Sequence, residues 1–149
     1  MPDLGAPLGW IDILHRHGRA AEWLSSLAIL LLGLSLLLPG ETMATSPSYR
    51  GFVTFGLADI QVGILATAIS GTRIIALYAN GRWRRSPGIR AVGAVLGTAF
   101  WACVVTAFAW PYWTDVTDAP TTALAYFSFV LADLISAYRS GGDARMARR

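Results

Sequence analysis

The stretch LAILLLGLSLLLPG, residues 27–40, decides the fold. No charge interrupts it before Pro39-Gly40, and extended back to Trp23 it has the length and apolarity of a bilayer-spanning helix, which needs about 20 such residues to cross about 30 Å of hydrocarbon. Three more stretches of the same kind follow, roughly Phe52–Tyr78, Ile89–Trp110 and Thr121–Tyr138. Only short polar links separate the four, so the expectation is an all-α integral membrane protein: one domain over residues 1–149, with four transmembrane helices and no separate soluble part. Hydrophobic residues make up 54% of the chain and charged ones 14%, against roughly 25% charged in an ordinary soluble domain.

The charge pattern orients the spans. There is no lysine; the arginines gather at the ends of the apolar segments rather than in a stripe, which argues against a nucleic-acid partner and for the lipid bilayer. His15, Arg16, His17 and Arg19 precede the first span, Arg82, Arg84, Arg85 and Arg90 form a basic loop between the second and third, and Arg139, Arg145, Arg148 and Arg149 follow the fourth. The intervening links hold Arg50 with Glu41, Asp115 and Asp118. By the positive-inside rule both termini and the 82–90 loop are cytoplasmic. The first span has a signal-peptide flavour, with Ala44 and Ser46 beyond it. It is read as retained, because its loss would leave three spans and carry the amino terminus outside.

Along the chain, residues 1–20 read as an interfacial or flexible lead, with Trp10, Ile11 and Ile13 at headgroup depth. The link ETMATSPSYR, residues 41–50, is rich in turn formers. Trp110, Tyr112 and Trp113 suit an aromatic belt, and Pro111 reads as the end of the third span. Residues 139–149 read as a basic, unstructured cytoplasmic tail.

Polar groups inside the spans carry the specific expectations, since a charge in hydrocarbon is expensive unless it is paired or hydrated. Asp59, Gln61 and Arg73 fall in the second span and Asp133 in the fourth. Arg73 and Asp133 each stand five residues before a closing tyrosine, Tyr78 and Tyr138, about 7.5 Å from the same boundary at 1.5 Å per residue. They are therefore level and expected to pair, with Glu22 as the competing partner for Arg73. Asp59 and Arg73, fourteen residues apart, share a helix face, but about 21 Å separates them along it. That face either lines a polar path or is resolved locally, with Asp59 capped by loop residues. In the third span Gly93 and Gly97 make a small-xxx-small pattern of the kind that lets helices pack closely.

No enzyme motif is present: the sequence has no HExxH, no GxSxG and no phosphate-binding glycine loop, so catalysis is not expected. Cys103 is the lone cysteine and lies within a span, and His15 and His17 point about 200° apart on a helix, so neither a metal nor a cofactor is expected.

Three stretches, LLPGETMATSPSYR (37–50), RIIALYANGRWRRSPGIR (73–90) and DLISAYRSGGDAR (133–145), resemble a family of small multi-span membrane proteins encoded by tailed phages and prophages of proteobacteria. The resemblance runs over nearly the whole chain. Members are mostly uncharacterised and some are regarded as holin-like by size and span count, although four spans exceed the one to three of the commonest holins. It implies a multi-pass protein of the bacterial inner membrane that associates with itself or with another membrane protein. The leading functional expectation is holin-like self-association, with Gly93 and Gly97 as the lateral contact and Asp59, Gln61 and Arg73 as the wet wall of a lesion. The alternatives are a non-enzymatic accessory or structural membrane protein or complex subunit, and, more weakly, an oligomeric channel or small-solute exporter.

Overall fold

A computed structural model describes residues 20–82, 87–115 and 121–146. The lead up to residue 19 with His15 and His17, Arg84 and Arg85 of the basic loop, the link around Asp118 and the terminal Arg148 and Arg149 lie outside the described residues, as does the side chain of Arg82.

Six α-helices are described: α1 (Ala20–Leu37), α2 (Thr42–Thr45), α3 (Arg50–Thr54), α4 (Asp59–Arg82), α5 (Pro87–Asp115) and α6 (Thr121–Met146), with a 3-10 turn at Pro47–Tyr49. There is no strand among them. Helices α1, α4, α5 and α6 are each long and apolar enough to cross a membrane, and the chain is an all-α, multi-pass membrane protein. They alternate in direction, as short links require, and stand in a ring in which α1 adjoins α4, α4 adjoins α5, α5 adjoins α6 and α6 returns to α1. Helices α1 and α5, and likewise α4 and α6, face one another across the diagonals. The outward side chains are apolar, among them Leu24, Leu31, Ile64, Ile75, Val92, Val95, Leu124 and Leu134, all exposed. That is the surface a lipid solvent demands rather than an aqueous one.

The second span starts at Asp59, seven residues later than the apolar run suggests. Its early part folds as the separate helix α3, stopped by Gly56. Gly56 takes φ 73° and donates its N–H to Val53 O, while Leu57 N–H reaches back to Phe52 O. This is a Schellman cap, which favours glycine in the left-handed position. A new start follows at once, because Gln61 Oε1 accepts the Ala58 N–H and Ala58 O accepts the Gln61 and Val62 N–H groups. The Gln61 side chain thus supplies the returning half of a capping box, Ala58 having no side-chain oxygen to supply the other.

Two other boundaries differ from the sequence reading. α5 continues through Pro111 to Asp115. A proline inside a helix deprives the carbonyl four residues back of its donor; here that is Ala107 O. Gly51 of α3 lies against it, so closely that a Cβ on Gly51 would come 2.0 Å from the oxygen. The link helices thus cover the weak point of α5, and the turn-forming stretch becomes a lid on this end of the bundle, with Met43 and Phe52 buried beneath it. At the far end of the chain, α6 runs past Tyr138 to Met146, because neither Gly141 nor Gly142 takes the left-handed turn that ends a helix and no proline follows.

The apolar core lies between this lid and the bundle's middle. Phe108 stacks on Tyr126 with ring centroids 5.3 Å apart, and Tyr49 and Phe52 close on Phe108 at 5.0 and 5.6 Å. Further in, Trp101 stacks on both Tyr126 and Phe129, at 5.2 and 4.7 Å. Trp101 is fully buried and forms the boundary between the apolar half and a polar one.

Candidate functional site

The polar half of the core is built by the helix period. On α1, Glu22 and Ser25 are three residues apart and share a face; Asp133 and Ser136 do the same on α6. On α5, Arg90, Gly93, Gly97 and Trp101 fall on one inward stripe. With the helices antiparallel, these faces and Arg73 of α4 meet in two layers about one helical turn apart.

In the inner layer Arg73 and Asp133 form a two-pronged ion pair, Nη2 to Oδ1 at 2.6 Å and Nη1 to Oδ2 at 2.9 Å, with side chains 3% and 0% exposed. Ser25 donates its hydroxyl to Asp133 Oδ2 at 2.7 Å and accepts the Trp101 Nε1–H at 2.9 Å. Both carboxylate oxygens are thereby satisfied, the condition under which a buried charge is tolerable. In the outer layer Arg90 donates from Nη2 to Glu22 Oε1 at 2.6 Å and from Nε to Oε2 at 3.2 Å. Ser136 donates its hydroxyl to Glu22 Oε1. Each ion pair joins helices that face each other across a diagonal, α4 to α6 and α1 to α5, while the serines bridge neighbouring α1 and α6.

The levels read from sequence are those at which Arg73 and Asp133 meet. Glu22 does not compete for Arg73, because Arg90 holds it. Gly97 is buried and turns inward, while Gly93 is half-buried and lines the opening between α4 and α5. A Cβ on Gly97 would stand 1.8 Å from Arg73 Nη1 and 2.1 Å from Asp133 Oδ2, so this glycine is the space the ion pair occupies. On Gly93 a Cβ would find only Arg73 Cγ, at 3.9 Å.

Asp59, Gln61 and Arg73 do not make one polar wall. Asp59 accepts the Met43 N–H at 3.1 and 3.3 Å, tying the lid helix α2 to the start of α4, and Gln61 is spent on the cap of its own helix. Between them and Arg73 the same face of α4 carries Val62, Ala66 and Ser70, all buried. Beside Asp59, burial pushes the Tyr49 phenol above its ordinary 10.0, with the charges of Tyr126 and Asp59 acting in the same direction.

Sequence reasoning missed Ser25, Ser136, Trp101 and the role of Arg90. A usable signal was there: serines three residues from intramembrane carboxylates on two largely apolar helices. Among the described residues no cluster of histidine, cysteine and carboxylate side chains suits a metal ion. Comparison with known families, with curated proteins and with solved structures finds no match to the chain.

Proposed function

We propose that the protein is a non-enzymatic structural or accessory component of a bacterial inner membrane, a four-helix unit complete in a single copy. The observation that carries this reading is the crossed pair of ion pairs, Arg73–Asp133 and Glu22–Arg90, closed within one chain. A lesion-forming protein needs polar groups that can be turned to water and a face free for its neighbours. Here the charges neutralise one another across the bundle, and Gly97, the residue best suited to a close helix contact, is taken up by the ion pair. A channel or exporter needs a polar path, and the apolar stretch of α4 between Asp59 and Arg73 works against one.

The experiment is inducible expression in a bacterial host with a membrane-impermeant dye, scored against the amount of protein in the membrane. The accessory reading predicts sealed, growing cells at high membrane levels and a single copy per lipid nanodisc. Abrupt dye entry after accumulation, with several copies per particle, would establish the holin-like alternative instead.

A further inference from the structure

Arg73 and Arg90 grip their carboxylates differently, and the difference leaves one polar atom over in each layer. Arg73 meets Asp133 end-on, through Nη1 and Nη2, and among the described residues nothing accepts its Nε–H. Arg90 meets Glu22 side-on, through Nε and Nη2. Glu22 Oε1 takes the Ser136 hydroxyl as well, whereas Oε2 takes only the Arg90 Nε–H among the described donors and keeps a lone pair. Both side chains are 3% exposed, and a buried donor without an acceptor is costly. The residues that carry these two atoms line one small recess of about 10 Å³, with Arg90, Ala76, Leu77 and Gly93 beside them. The Arg73 stem runs along it. A Cβ on Gly93 would stand 3.9 Å from Arg73 Cγ and one on Gly97 1.8 Å from Nη1, so Nε, between Cγ and Nη1 along the side chain, is the guanidinium nitrogen nearest the recess. Toward the lipid the same walls widen into an apolar groove bounded by Val92 and Leu96, which hydrocarbon covers. The other approach is from the span ends, where Glu22 and Arg90 stand near the starts of α1 and α5.

About 10 Å³ is the least room that holds one water molecule, and a buried water needs at least two polar partners. The four charges around the recess already cancel in pairs, so an added ion would be left uncompensated and a neutral ligand is what fits. We propose that the recess binds a single water molecule, which accepts the Arg73 Nε–H and donates to Glu22 Oε2. The water joins the two ion-pair layers into one network, so that the depth of α1 and α5 is tied to that of α4 and α6 by hydrogen bonds as well as by packing. The inference is independent of whether the protein scaffolds or permeabilises.

The test is water-edited solid-state NMR of the full chain in lipid bilayers, with isotope-labelled arginine and tryptophan and magnetisation carried from water to their side-chain N–H groups over short mixing times. Two groups bracket the result. Arg50, exposed at the lid end, is the wet reference, and the Trp101 Nε1–H, fully buried and bonded to Ser25, is the dry one. The Arg73 Nε–H, on a side chain only 3% exposed, is expected to receive water magnetisation well above the Trp101 level. Ala76→Leu, which fills the recess from α4, should bring Arg73 down to the Trp101 level and leave Arg50 unchanged. Should that variant not accumulate, Gly93→Leu fills the recess from α5, and the comparison of Arg73 with Trp101 in the native chain decides by itself. Transfer to Arg73 no greater than to Trp101, or transfer that filling the recess does not change, overturns the proposal.

Discussion

Gly97 shows how one residue type carries two opposite meanings in a membrane helix. With Gly93 it makes the small-xxx-small spacing that permits a neighbouring helix to approach, yet its missing side chain is filled by the guanidinium of Arg73 and the carboxylate of Asp133. Gly97→Val should therefore fail by breaking the ion pair. Loss of a buried pair's geometry costs about 3–5 kcal/mol because a charge is left without its partner, so the variant should melt far below the native chain in detergent. Gly93→Ala, whose added carbon meets only Arg73 Cγ at ordinary contact distance, should change the midpoint little. Equal tolerance of both substitutions would contradict the assignment. The pairing of Arg73 with Asp133 was legible from sequence because depth along a helix is set by residue count alone. The partner of Glu22 was not, because it depends on which helices face one another across the diagonal, and no residue count contains that.

The elements were legible where a single signal acted and misread where two competed. Four apolar runs gave four spans, but the run from Phe52 hides a stop and a restart, Gly56 and the Gln61 side chain capping the Ala58 N–H, inside continuous hydrophobicity. Hydropathy sees the solvent; caps see the backbone. Pro111 was misread for a different reason: a proline inside a helix can kink it without ending it, and α5 continues through Pro111 to Asp115 with Gly51 of α3 packed against the carbonyl left without its donor. The element-scale prediction concerns this contact. Gly51→Ala puts a carbon 2.0 Å from Ala107 O, and should lift α3 from α5. A loss of about 1–3 kcal/mol is expected, the usual cost of overpacking, together with faster proteolysis in the 41–58 link. Unchanged stability and unchanged cleavage would show that the lid does not seal this end.

At the scale of the molecule, the bundle divides its interior by chemistry. One half, from the lid to Trp101, is aromatic and aliphatic; the other is four charges and the serines that satisfy them. Helix packing in lipid gains little from burying apolar surface, since the solvent is apolar too, so the polar half supplies what the apolar half cannot, a fixed ring order and a fixed relative depth of the four helices. That the solvent was a membrane could be read from composition and run length, and the Arg73–Asp133 pair from residue count; that a second pair, Glu22 with Arg90, crosses it on the other diagonal could not. The central claim is therefore that Arg73 and Asp133 meet within a single chain. The measurement is complementation in cis and in trans with Arg73→Met and Asp133→Leu, scored by accumulation and melting temperature. Each single variant should be strongly destabilised. The double variant in one chain should recover most of the loss, as buried pairs replaced by apolar residues of similar size commonly do, while co-expression of the two single variants on separate chains should recover none. Rescue in trans would mean that the pair forms between copies, and would contradict the account.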